Sequence, residues 1–597
     1  MSKFHSFHIP VLGIGFSVDT PIKVAHLGVD SVVSLSDDIL LEKLRRMYCT
    51  KFKFDYTEIT NKMSDYRAKR ITSYLNLMNS IIDQKIQELR KNAFNSYEEI
   101  TDYLAALPSS SSIKQKFQEI LKAKINLSDA KLWIQDNLLK GNIDVNIMTK
   151  VDRENFDGDT PLPIEFNDAH AALRGFAQSK LKSSVVFSAG MNPRLYSYIT
   201  QFEDFYPDIN GSINKKIILK VSDYKSALIQ GMFLAKKGIW VSEYRIESGL
   251  NCGGHAFATK GYLIGPILEE FKTKRNDLVQ TVFSLLTNAL KQVNRIVPSS
   301  VLSVKISAQG GVGTSKEHEL LLNYYNVDSV GWGTPFLLVP EATNVDSATL
   351  NKLIESTEKD LYLSNISPLG VPFNNLRGNT KDIEKERFID KGRPGSACPK
   401  KFLALNKEYG DKGLCTASRQ YQNLKIKELE LDNLSPEEHK IKLNTIVEKT
   451  CLCVGLGTSA LLENKLDTRT EGKAVSICPG PNLAYFSKEM TLSEITNHIY
   501  GKINVITRTD RPNMFMKELS LYYQHLKKSI ENIEVSGQKK QLKLFSKNLN
   551  DGIIYYYDMF KQNKRVFEHE LSKILDELTS YKNEVEILTT KIEESKV

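Results

Sequence analysis

Residues 306–336 read ISAQGGVGTSKEHELLLNYYNVDSVGWGTPF, and this stretch decides the fold. An apolar run ends in glycines, a polar helical segment follows, and a second apolar run again ends in glycine. That is one strand–helix–strand unit with a glycine-rich turn at the end of each strand. Gly310, Gly311 and Gly313 leave backbone N–H groups free to point outward, and the helix start at 315 favours an anion there. The turn is not a Walker loop, because no Gly-Lys-Ser/Thr follows at the required spacing. Gly331, Gly333 and Thr334 repeat the pattern one strand later. A tight βα turn would look like either one alone; two on successive units point to a phosphate cradle.

Working outward, SGLNCGGHAFAT (248–259) also follows an apolar strand and sets Gly253 and Gly254 before His255. Strand-like runs recur at 9–16, 29–35, 143–149, 183–190, 215–222, 239–244, 300–311 and 327–339, with helical segments between most of them. Repeated β-branched strands alternating with helices imply a parallel sheet covered on both faces. Seven or eight such strands before residue 340 suit an α/β fold of the (β/α)₈ TIM-barrel type, with an open doubly wound sheet as the alternative. In a barrel the three glycine turns share the C-terminal rim.

The alternation breaks at 38–137, where Leu75, Met78, Ile81, Ile82 and Ile86 form one apolar stripe; this reads as a helical insertion. The expected domains are a barrel over 1–345 interrupted by that insertion, an irregular extension rich in Gly, Pro and Cys over 346–510, and a helical tail over 511–597. The tail lacks sustained heptads, so a docked helical pair is preferred to a dimerising coiled coil, and a homodimer stays open.

Composition sets outer limits. The 597 residues are 41% hydrophobic and 25% charged, ordinary values for a globular chain with a sizeable core. Net charge is +9, a small excess at this length, so no nucleic-acid partner is expected. The seven cysteines are too few for a disulfide framework and fit a reducing compartment. With no signal peptide and no long apolar run, a cytoplasmic chain without a membrane span is the expectation.

The motifs GIGF, CGGH, AQGGVGTS and GWGTPF, in that order, resemble the flavin-dependent nitronate monooxygenases and their relatives, the flavin-dependent enoyl-acyl-carrier-protein reductases. The resemblance covers about 15–35 and 140–345, leaving the insertion and the C-terminal 250 residues unmatched. Gln309 and Pro335 depart from the pattern, the latter replacing an arginine. The resemblance implies a (β/α)₈ barrel with FMN. Gly310, Gly311, Gly333 and Thr334 would hold its phosphate, and Gly13, Gly15, Asn146, Lys220, Gly253 and Gly254 would line the flavin. His255 would be the catalytic acid/base or orienting group, as a ring titrating near pH 6.5 can be.

The implied reaction is oxidation of a small carbon acid or reduction of an activated alkene. The alternative within that class is NAD(P)H-dependent reduction of an enoyl thioester, with an acyl-thioester substrate and an acyl carrier protein as partner. The basic loops 391–401 and 508–512 would suit such a carrier or a cofactor's phosphates, although a solvated surface reads the same way. The alternative from another class is a non-enzymatic assembly protein that binds a phosphate-bearing ligand. Cys398, Cys415, Cys451, Cys453 and Cys478 lie beside prolines and small residues, as in loops that bind an iron–sulfur cluster; ordinary buried thiols are the plainer reading. GLGTSA within 454–460 reads as a glycine-rich turn.

Overall fold

The computed structural model describes residues 5–92, 107, 111, 114–116, 119, 137–188, 190–250, 254, 260–506, 508–531 and 536–594. Eight parallel strands close into a barrel: β1 (Phe7–Ile9), β2 (Asp30–Ser34), β3 (Ile143–Met148), β4 (Ser184–Ser188), β5 (Lys216–Val221), β6 (Val241–Glu247), β7 (Lys305–Gln309) and β8 (Ser329–Gly331). Each strand pairs with its neighbours in chain order, and β1 closes the ring by pairing Phe7 with Val330 and His8 with Gly331. This is the (β/α)₈ barrel expected from the sequence. Helices at Thr20–Val24, Asp168–Ala177, Tyr224–Ala235, Ile264–Gln292 and Ser315–Asn323 sit outside it.

Three local readings are corrected. The first strand lies at Phe7–Ile9 rather than 9–16, because Pro10 has no N–H to give the ladder and Gly13 turns the chain at φ +96°. The region expected to be irregular carries six helices among its described residues, Ser347–Glu355, Thr380–Asp390, Arg419–Leu429, Pro436–Val447, Leu452–Glu463 and Leu492–Ile499, and a hairpin joining Leu361–Ser364 to Phe373–Leu376. GLGTSA is no turn but the middle of the helix Leu452–Glu463.

Of the expected insertion, Asp38–Phe52 and Tyr66–Asn92 are helices and most of the remainder lies outside the described residues. The apolar stripe from Leu75 to Ile86 is buried in the main core. The tail forms three helices, Met514–Glu531, Ser536–Gln562 and Leu571–Glu594. Phe515 and Tyr556 of this tail are buried, the Tyr556 ring lying against Gly265 of the helix Ile264–Gln292. No single helix among the described residues is long and apolar enough to cross a membrane.

Candidate functional site

The C-terminal rim of the barrel is roofed by the extension. Between them lies a cavity of ≈ 130 Å³. Its floor is made by strand ends: Ser34, Asn146, Ser188, Lys220 and Glu247, with Gly13 from the loop after β1. Its roof is apolar, built from Phe373, Phe402, Leu403, Leu452 and Leu456. Residues four hundred positions apart therefore face each other across one space.

The floor is polar and tightly arranged. Lys220 Nζ stands 2.8 Å from Glu247 Oε1, and Gln309 Nε2 donates to the same oxygen at 2.9 Å. Asn146 is 3% exposed, and its Oδ1 has no hydrogen-bond partner among the described residues. At the cavity wall Arg67 pairs with Asp38 at 2.5 Å and stacks on Phe402. Burial works against the charge of Asp168, but Arg67 and Arg153 hold its carboxyl below the usual carboxylate range.

Of the residues expected to line a flavin, Gly13, Asn146, Lys220 and Gly254 border this cavity. Gly15 does not. Its N–H donates to Leu456 O at 3.0 Å, and a Cβ there would stand 2.8 Å from that oxygen, so this glycine seats the roof helix Leu452–Glu463. Gly253 and His255 lie outside the described residues.

The expected phosphate group of residues forms its own cluster beside the cavity instead of bordering it. Gly310 and Gly311 turn at φ +104° and +81°. Gly313 N and Thr314 N are already taken: both donate to Glu317 Oε2, at 2.8 and 3.1 Å, in a capping box that closes the helix start. The anion at that helix start is therefore the chain's own. Its counter-charge is Arg511, from the basic loop 508–512, at 2.8 Å from Glu317 and 2.9 Å from Gly311 O. Thr334 Oγ1 accepts from Gly480 N at 3.1 Å. The N–H groups of Gly311, Gly333 and Thr334 have no acceptor among the described residues. Gly311 also has a packing reason to be glycine, because a Cβ there would meet Leu250 Cδ1 at 2.5 Å.

Glu518 is a site residue that the sequence reading missed. It accepts from Gly249 N at 3.1 Å and Ile264 N at 2.8 Å, one on each side of CGGH in the sequence. The extension also grips Gly254 directly, since Asn374 N donates to Gly254 O at 2.9 Å and Phe373 packs against it. Burial pushes the Glu518 carboxyl up to about 7 from 4.5. The folded state thus holds this proton more tightly than the unfolded one. Its contribution is complete below pH 4.5 and is lost as pH rises toward 7, by about 3 kcal/mol in all. Glu518→Gln cannot ionise, and denaturant titrations between pH 4.5 and 8 should show that part of the slope gone. An unchanged slope would mean that Glu518 is charged throughout.

The five cysteines separate into four and one. Cys398 and Cys415 pack together, Cys451 and Cys453 pack beside them, and Leu403 touches both groups. Cys478 sits in the main core and borders the barrel cavity, so it leaves the expected set. Among the described residues no group of three or more His, Cys, Asp or Glu side chains is placed to hold a metal ion.

No protein-family model and no curated protein matches the chain. Solved structures do resemble it, at low scores. FabK from Thermotoga maritima aligns at 12% identity and a TM-score of 0.35, covering 88% of this chain and 96% of the other. The enoyl reductase domain of MlnA, from the macrolactin biosynthesis cluster of Bacillus amyloliquefaciens, aligns at 13% and 0.36, covering 70% and 89%. A nitroalkane oxidase from Streptomyces ansochromogenes aligns at 10% and 0.33, covering 83% and 94%. At these scores the likenesses carry no functional weight, and the fold rests on the closed ring of strands itself.

Proposed function

We propose that the chain is an FMN-dependent oxidoreductase whose flavin is held at the roofed barrel mouth. The observation that carries this reading is Asn146. A buried acceptor without a donor is destabilising by about 1–3 kcal/mol, and this one borders the cavity, so a donor on a bound ring would relieve it. It lies in a polar floor under an apolar roof, a setting suited to a flat ring with a hydrogen-bonding edge. Lys220 puts a cation at the same floor, where an electron-rich ring edge gains from it. The unpartnered N–H groups of Gly311, Gly333 and Thr334, with Arg511 close by, fit the phosphate on the neighbouring side. When bound, FMN supplies hydride and one-electron chemistry.

The protein's own share is to bind, orient and exclude water. The roof of Leu403, Leu452, Leu456 and two phenylalanines dries the site, which strengthens the Lys220–Glu247 electrostatics beneath it. The proposed substrate is a small carbon acid or an activated alkene, with an enoyl thioester as the second reading. His255 remains the proposed proton donor or acceptor.

The test begins with an absorbance spectrum of the purified protein and the mass of any released cofactor. Flavin bands and the mass of FMN support the reading. A colourless protein that takes up no added FMN supports the assembly-protein alternative. Asn146→Leu sharpens the test. It removes an unpartnered polar atom, so the flavin-free protein should be as stable as before or about 1 kcal/mol more so. FMN binding, followed by fluorescence quenching, should weaken at least about tenfold. Undiminished affinity would remove Asn146 from the ring site.

A further inference from the structure

A second cavity lies in the extension, and the barrel-mouth reading makes no use of it. It encloses ≈ 740 Å³. That is within the roughly 300–1,000 Å³ of sites that take small molecules. Its lining comes from residues 392–430, so no barrel strand contributes to it. The basic loop 391–401 forms one side, and the other includes the start of the helix Arg419–Leu429.

Backbone hydrogen bonds lock these two stretches together. Ser396 N donates to Ala417 O at 3.0 Å, and Arg419 N donates to Ser396 O at 2.9 Å. Gly395 allows the close approach. It turns at φ +82°, and a Cβ there would stand 2.7 Å from the Arg419 backbone. The wall of the cavity is therefore fixed by the chain itself, without a ligand.

The charge of the lining is one-sided. Arg393, Lys401 and Arg419 border the cavity, and none forms an ion pair with a carboxylate among the described residues. Glu430 is the one acidic residue in the lining among the described residues, which leaves an excess of two positive charges. Arg419 is not a freely solvated side chain. Its Nη2 donates to Gly395 O at 3.2 Å, and its guanidinium lies over the Phe388 ring at 5.3 Å. Its Nε is buried and has no acceptor among the described residues. A buried donor in that state is destabilising until an acceptor reaches it. Pro394, Ala404, Leu414 and Ile426 add apolar surface to the same space.

We propose that this cavity binds a small organic phosphate, with its phosphate on Arg393 and Arg419 and its carbon body against the apolar lining. Guanidinium groups suit phosphate oxygens, which accept two N–H bonds side by side. A phosphate monoester carries close to two negative charges at neutral pH, which matches the excess in the lining. A lone carboxylate would leave one cation unbalanced. Binding is non-covalent and involves no group at the barrel mouth, so the inference stands whether or not a flavin is held there.

The test is calorimetric titration of the full chain at low salt with inorganic phosphate, ribose 5-phosphate and AMP. All three present a phosphate of similar charge, so a difference in affinity reports the organic body. At least one of the two organic phosphates should bind at one site per chain, about tenfold or more tighter than inorganic phosphate. Tighter AMP assigns a nucleotide, and tighter ribose 5-phosphate assigns a sugar phosphate. Arg393→Gln should weaken that binding about tenfold, on the scale of one charge-assisted hydrogen bond. Arg393 is exposed, so the variant folds as the wild type does. Lys573→Gln, an equal loss of charge at a side chain 77% exposed on the tail, should bind unchanged. Bound ligand should also slow hydrogen exchange in 393–398 and 417–423. Three results overturn the proposal: neither organic phosphate binds, inorganic phosphate binds as tightly as both, or Arg393→Gln binds as well as the wild type. The last would put the anion elsewhere, as at the Arg511 cluster beside the barrel mouth.

Discussion

Arg511→Met should destabilise the protein by about 3 kcal/mol, because it leaves a buried carboxylate without its cation. Glu317 is only 2% exposed on its side chain, and Arg511 gives it two contacts, at 2.8 and 3.0 Å. Three backbone N–H groups, from Gly313, Thr314 and Met514, remain on the carboxylate and keep the loss toward the lower end for a buried pair. The check is a double-mutant cycle with Glu317→Gln, read by urea unfolding. A coupling of 1 kcal/mol or more is expected on the scale of interacting residues, roughly 0.5–3 kcal/mol. Simple additivity would show that the two side chains act independently. Since Arg511 also stands beside Gly311, FMN should bind the variant more weakly even under conditions where it is fully folded.

Lys400→Met should have an effect at least as large, about 3–5 kcal/mol. Lys400, Asp37 and Glu471 each have 1% side-chain exposure, so removal of the ammonium takes the ion-pair partner from Asp37 and leaves Glu471 paired with Lys43. Asp37 also caps the helix Asp38–Phe52 through Leu40 N. The damage is therefore shared by the barrel and the extension. Hydrogen exchange should rise in both 37–45 and 396–418. Exchange confined to the second segment would mean that the lysine steadies only its own loop.

The barrel was legible because its strands are buried on both faces, and such strands announce themselves as β-branched runs whatever surrounds them. Asn146 and Lys220 were named only through the family resemblance, and both border the cavity. The roof was not legible. In the helix Leu452–Glu463 every residue from Leu452 to Leu461 is buried, so no polar face marks it as helical. Gly455 reads as a breaker, yet it is there for contact: a Cβ would meet Ser476 Oγ at 2.3 Å. Arg511 and Glu518 were hidden by distance. One meets a partner 194 positions away and the other a partner 269 positions away, and no local pattern records such pairs. The phosphate cradle shows the opposite case. Its glycines were plain in the sequence, but the glutamate that fills the helix start was visible only as one more charge on a helix.

The closing of the ring by β1 and β8 has a consequence for the order in which the chain is made. Until Val330 has emerged, Phe7 has no partner on one side and the nascent barrel is an open sheet. The ring then closes with its rim bare, and Val11 and Ile14 stay in water until Phe373, Leu403 and Leu456 arrive to cover them. Glu518, which binds Gly249 and Ile264, comes later still. A ligand of the barrel mouth thus has its widest entrance during synthesis, before the chain's own C-terminal half narrows it.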